Sequence, residues 1–276
     1  MPLTDLATRY QAGARLKFGC HDFLNSQPII YPIKEGLVDT PFETVFAPPG
    51  ELADLLKNGA LDLAFIPAVE YARIHGLRIV PGFSIAALGP VKTVLLFSKH
   101  KIEDIETVAV DHRSRTSVSL LRVLMAEFYK KDVEFAITRD VHNLIDAAED
   151  ATLVIGDESF RDARGRHVYD LAELWQRFTG LPFVFAVLCV APGCEAHAAV
   201  TALRRAKEMG MGLVDEICRA SSGRAGITVE ECRDYLTNRI RYDLTEGDVK
   251  GLRLFLELAH KHQVVHTFAP VAFYPG

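Results

Sequence analysis

Three places in this sequence set small polar residues where an apolar run ends, and these are where binding chemistry can be built. Asn25 and Ser26 lie in HDFLNSQP, Ser114, Thr116 and Ser117 in DHRSRTSVSL, and Gly156 and Asp157 in VIGDES. Hydroxyls, amides and unpaired backbone N–H groups at the start of a helix favour a carboxylate or a phosphate through hydrogen bonds and the helix dipole. The same residue types also serve as plain helix caps, so both roles stand for Asn25 and Ser26 and for the Ser114–Ser117 cluster. Arg113 and Arg115 alternate with these small residues, within reach of an acidic ligand or of solvent. Asp157 binds a ligand, orients a neighbour or caps the next segment, and the last two are the commoner uses.

Two further stretches bear on a site. GPVKTV, residues 89 to 94, puts Gly89 and Val91 ahead of a strand, either as a backbone approach to the ligand or as a turn. WQRFTGLPFVFA carries the single tryptophan, Trp175, with Phe178 and Phe183; these form an aromatic wall for a ring or, more commonly, core. Tyr71 has the same two readings. The ten histidines make no HExxH and no cluster with cysteine, so no metal site is expected, and His260, His262 and His266 read as surface or helix-end residues. The sequence contains no GxSxG elbow, P-loop or GxGxxG after a strand, which removes support for serine hydrolysis, phosphoryl transfer and nicotinamide binding.

Strands and helices alternate around these positions. LKFGC, FETVFA and LDLAFIP read as strands separated by the helices NSQPIIYPIKEG and PPGELADLLKNGA, and Pro28 sits where a first helical turn tolerates a missing N–H. VKTVLLFSK then leads out to a second alternation: ETVAVD, the helix SVSLLRVLMAEFYKK, VEFAIT, the helix VHNLIDAAED and TLVIGD. DLAELWQRF adds a helix, and the apolar strand PFVFAVLCV leads back. From Cys194 onward the apolar spacing is helical. The expected architecture is α/β, with two lobes joined by two crossing strands, a cleft between them and a helical C-terminal region. Residues 1–95 and 190–276 are assigned to lobe 1 and 96–189 to lobe 2.

The chain has 276 residues, 49% hydrophobic and 24% charged, with a formal net charge of −5. It offers no basic field for nucleic acid or an anionic membrane, and a small-molecule ligand is expected. Five widely spaced cysteines without a CxxC pair read as reduced thiols. The N-terminus shows neither a secretory nor a lipoprotein leader, so a cytoplasmic protein is expected.

FLNSQP, NGALDLAFIPAVEY, PGFSIAALGPVKTVLLFS, DHRSRTSVSLL, VIGDES and YDLAELWQRFTGLPFVFAV, taken in this order and spacing, resemble the chorismate dehydratases of the futalosine route to menaquinone. The resemblance runs from about Leu16 to about Val190 and is general in the helical tail. It implies a periplasmic-binding-protein type II fold working in the cytoplasm as a lyase without a cofactor. The reaction would take water from chorismate to give 3-[(1-carboxyvinyl)oxy]benzoate. The family's ligand positions correspond to Asn25 and Ser26, to Ser114, Thr116 and Ser117, and to Gly156 and Asp157. Gln27 departs from the pattern, where leucine is usual.

Chorismate brings two carboxylates and a hydroxyl, which suit helix N-termini and neutral donors. The quoted motifs present no evident His or Glu base, so the enolpyruvyl carboxylate of the substrate is expected to take the proton, with Asn25 donating to or orienting the reacting groups. Two other functions share the fold: the pathway's later 1,4-dihydroxy-6-naphthoate synthase, and a non-catalytic cytosolic solute-binding protein.

Overall fold

The computed structural model describes residues 15–111, 114–138, 147–160, 165–267 and 270–275. Arg113 and most of the expected helix VHNLIDAAED lie outside the described residues.

Strand β1 (Leu16–Cys20) leads through a 3₁₀ turn, Leu24–Ser26, into α1 (Gln27–Lys34), which carries Pro28 in its first turn. Strand β2 (Phe42–Phe46), α2 (Pro49–Lys57), β3 (Leu63–Pro67), α3 (Glu70–Arg73) and β4 (Arg78–Ala87) follow. The chain then crosses to β5 (Val94–Ser98), β6 (Thr107–Asp111), α4 (Thr116–Val123), β7 (Glu134–Thr138), β8 (Ala151–Ile155), β9 (His167–Asp170) and α5 (Leu171–Thr179). It returns as β10 (Phe183–Val190) and ends in α6 (His197–Gly212), α7 (Val214–Ala225), α8 (Val229–Asp234) and α9 (Glu246–Lys261).

Ten of these strands form two five-stranded sheets, ordered β2-β1-β3-β10-β4 and β7-β6-β8-β5-β9. In the first, β1 runs parallel to β2 and β3, while β10 runs antiparallel between β3 and β4. The second repeats the plan: β6 is parallel to β7 and β8, and β5 is antiparallel between β8 and β9. Each crossing strand is therefore an inner member of the sheet it enters. That position explains why PFVFAVLCV is almost wholly apolar, because an inner strand is covered on both faces.

Hydrogen bonding changes sheets at residues 88–93 and 180–182, between β4 and β5 and between α5 and β10. The expected lobe edges at 95/96 and 189/190 thus differ from the observed ones. All of β5 pairs in the second sheet and all of β10 in the first, because a crossing strand is claimed by the sheet it enters.

The C-terminal helices cover the first lobe and also touch the second crossing. Gly251 in α9 sits so close to the Pro182 carbonyl that an added Cβ would lie 2.0 Å from its oxygen, so only glycine lets the helix seat there. No helix among the described residues is long and apolar enough to cross a membrane.

Candidate active site

The carboxyl ends of β1 and β3, the start of α4 and the end of β8 face one another across the gap between the sheets, as ligands require in α/β folds. Between them lies a cavity of about 80 Å³, lined from the first lobe by His21, Phe23, Asn25, Pro67, Ile85 and Phe185. Thr93 and Val91 line it from the crossing, and Ser114, Arg115, Thr116, Ser117, Ile155 and Gly156 from the second lobe. Six expected residues are brought together here: Asn25, Val91, Ser114, Thr116, Ser117 and Gly156. A larger depression of about 410 Å³ lies behind α4, next to Arg122 and Phe135. The smaller cavity is the candidate site, because there unpartnered polar atoms of both lobes converge.

Capping accounts for none of the expected hydroxyls. Ser26 lies under the turn rather than in the cavity, and its hydroxyl donates to the carbonyls of His21 (2.6 Å) and Phe23 (2.9 Å). This bracing sets the angle at which Asn25 leaves the backbone. Thr116 accepts the amide of Val69 across the cleft at 3.3 Å through Oγ1. Ser114 Oγ is buried without a partner, as are Asn25 Oδ1 and His21 Nδ1. Three neutral polar atoms without partners in one small cavity is unusual for a folded interior, where such groups are nearly always paired. At the end of β8, Gly156 takes φ +70°, which turns the chain sharply beneath the cavity.

Besides Ser26, four expected contacts fall elsewhere. Trp175 and Phe183 are fully buried, packed edge to face at 5.4 Å, and both rings meet Phe255 of α9; they are core. Phe185 lines the cavity in their place. The register of β10 against β4 slips between Val184 and Ala186, and this bulge re-aims the intervening ring. Gly89, at φ +92°, shapes the crossing without lining the cavity. Asp157 does not line the cavity, and the Leu24 backbone amide of the opposite lobe favours its charged form. Burial raises its carboxyl above the ordinary value, against the opposing pull of that amide and of Arg224. Tyr71 is also core, its hydroxyl bonding the Pro270 carbonyl and the Ala272 amide.

His21 is a polar site residue that sequence reasoning missed, although it begins the HDFLNSQP motif. Its one signal is position, directly after β1 at the carboxyl end of the strand. Burial pushes its imidazole down to about 4, against a smaller pull from Asp22, so the ring is neutral at pH 7.

The lobes are also clasped outside the cavity. Arg115 binds Asp54 of α2 through both terminal nitrogens and reaches Glu70 of α3 at 3.4 Å. These bonds raise the guanidinium and lower the Asp54 carboxyl. Arg115, which also lines the cavity, is thereby engaged by protein carboxylates.

The family model for menaquinone biosynthesis matches residues 16–261, which include every element of both lobes. The chain belongs to the menaquinone biosynthesis family. A member from Thermus thermophilus, a chorismate dehydratase, is 32% identical over 259 residues, covering 85% of this chain and 90% of its own. Among solved structures, a protein from Archaeoglobus fulgidus superposes with a TM-score of 0.78 at 20% identity, covering 91% of this chain and 98% of that one. The alkanesulfonate-binding protein of Xanthomonas axonopodis pv. citri, bound to MOPS, gives a TM-score of 0.62 at 12% identity, covering 90% and 93%. The family fold in this chain is thus the two-lobed periplasmic-binding-protein architecture expected from the sequence, with the helical C-terminal region.

Proposed function

We propose that this protein is a chorismate dehydratase, a hydro-lyase that forms 3-[(1-carboxyvinyl)oxy]benzoate and water in the futalosine route to menaquinone. The observation that carries the reading is the convergence of Asn25 Oδ1, His21 Nδ1 and Ser114 Oγ, buried and unpartnered, in one cavity between the lobes. The dehydratase from Thermus thermophilus, similar over most of its length, supports it. We assign the work to the cytoplasm, an assignment supported by five buried cysteines that are all free thiols.

The start of α4, with Ser114, Thr116 and Ser117, suits one substrate carboxylate through hydroxyls and the helix dipole. Asn25 presents a fixed neutral group to the reacting edge of the ring. The enolpyruvyl carboxylate takes the proton from the ring carbon that bears the ether. The electrons of that C–H bond form the new ring double bond, the neighbouring C–O bond breaks, and the departing hydroxide collects the proton as water. The product is aromatic, so the protein's task is alignment rather than strong acid or base chemistry. The cavity, at about 80 Å³, is far below the roughly 300 Å³ of ordinary ligand sites, so the lobes must part to hold substrate.

The test is direct: purified protein is incubated with chorismate, and the benzoate product is followed by absorbance and mass spectrometry. Accumulation of the enolpyruvyl benzoate supports the reading. Binding of chorismate without turnover would favour a solute-binding protein, and turnover only of the larger naphthoate precursor would favour the later enzyme.

A further inference from the structure

The reaction outlined above gives His21 no part, and it leaves one group of the substrate without a named partner. The start of α4 suits one carboxylate from the second lobe, whereas the enolpyruvyl carboxylate, which takes the proton, is matched to no residue. His21 stands in the first lobe, directly after β1 and four residues before Asn25. It lines the cavity together with Phe23 and is 4% exposed. Two contacts fix it: its backbone carbonyl accepts the Ser26 hydroxyl, and its ring leans on Phe23 with centroids 5.0 Å apart. The adjacent acid is committed elsewhere, since the Asp22 carboxylate binds Gln27, Lys34 and Arg224. Nδ1 of His21 is left buried with no protein partner.

We propose that His21 holds the enolpyruvyl carboxylate of the substrate, donating an N–H at Nδ1 to one of its oxygens. This deepens the dehydratase reading and rests on it. The substrate's own geometry decides which carboxylate His21 meets. In chorismate the ether and the hydroxyl sit on neighbouring ring carbons, and the ring carboxylate lies at the far side, para to the hydroxyl. With that carboxylate at Ser114, Thr116 and Ser117 in the second lobe, the ether edge and its arm face Asn25 and His21 in the first. A neutral imidazole has one N–H and one lone pair, and a carboxylate only accepts, so the proton stands on the nitrogen that meets it. A neutral donor also suits the chemistry. A lysine or arginine would anchor the arm too, but its full charge would lower the proton affinity of the carboxylate that must act as base. Burial keeps His21 uncharged at pH 7, so the ring orients the base without quenching it.

Two ligands separate the arm from the ring. The benzoate product carries the enolpyruvyl carboxylate; 3-hydroxybenzoate keeps the ring and its carboxylate but lacks the arm. Both are titrated by calorimetry into the full chain and into His21→Phe, which preserves the contact with Phe23 and removes both nitrogens. Affinity for the product should fall about 10- to 100-fold in His21→Phe, as for a lost hydrogen bond to a charged group, while affinity for 3-hydroxybenzoate stays within about threefold. His21→Asn sets an amide nitrogen near the place of Nδ1 and should keep product affinity within about fivefold of the wild type. His21→Gln, whose nitrogen falls near the place of Nε2, should lose affinity as His21→Phe does. Equal losses for both ligands overturn the proposal, as do an unchanged affinity for the product or equal product affinities in His21→Asn and His21→Gln. Should His21→Phe fold poorly, the contrast between His21→Asn and His21→Gln decides the same point. Should the wild-type protein bind the product through His21 yet leave chorismate untouched, the dehydratase reading fails alone; should neither ligand bind it, both fall.

Discussion

Arg115 of the second lobe grips Asp54 of the first through both terminal nitrogens, at 2.7 and 3.1 Å. The pair spans the cleft and exists only when the lobes are together. Asp54 is half exposed, so the pair contributes roughly 1 kcal/mol or less, enough to bias opening without affecting folding. Asp54→Asn should raise the KM for chorismate about two- to fivefold with an unchanged unfolding midpoint. The wild-type KM should also climb with salt, whereas that of the variant should stay nearly flat; steady-state kinetics across a salt series measures both.

Asn25→Ala should lower kcat by about 100-fold or more and leave the affinity for product within a few-fold, since the side chain orients rather than anchors. Single-turnover kinetics and a product-binding titration separate the two effects. Equal loss of binding and turnover would assign Asn25 to anchoring.

The pH dependence of stability follows from His21. Its folded value, about 4, lies below the ordinary 6.5, so the unfolded chain binds more protons between those limits. Stability is full above pH 6.5 and declines as pH falls toward 4, by up to ~3 kcal/mol at the lower limit. His21→Phe should flatten this decline in urea titrations at pH 7, 6 and 5, and an unaltered slope would exclude His21 as its source.

Asp170 holds two structures with one carboxylate. It caps α5 through the amides of Ala172 (3.0 Å) and Glu173 (3.2 Å), and it accepts the Lys92 amide of the first crossing at 2.7 Å. Lys92 sits at φ +65°, a conformation a lysine keeps only under constraint. Asp170→Ala should cost about 2–4 kcal/mol by urea denaturation, more than a lost helix cap alone. A cost near 1 kcal/mol would show that the crossing keeps its shape without the aspartate.

Much of this site was legible because neutral hydrogen-bonding groups at strand-to-helix junctions leave a local signature. Asn25 and the Ser114–Ser117 cluster follow β1 and β6, and the alternation of strands and helices puts such junctions at one end of each sheet. Phe185 was not legible, since the bulge that aims it into the cleft depends on pairing between β10 and β4, nearly a hundred residues apart in sequence. Trp175 and Phe183 read equally well as wall or core, and only the packing of α9 against them decides for core. His21 stood in view within its motif; its neutrality comes from burial, a property of the assembled cleft.

The exchange of inner strands between the two sheets bears on how the molecule gains and loses its structure. A fragment ending after β4 would lack β10, the rung that joins β4 to β3, and an isolated second half would lack β5 between β8 and β9. Neither half can complete its own pleated layer, and each would display unpaired inner edges prone to association. Synthesis of the first lobe is therefore finished only after the second has emerged, and the two should melt as one cooperative unit rather than as independent modules.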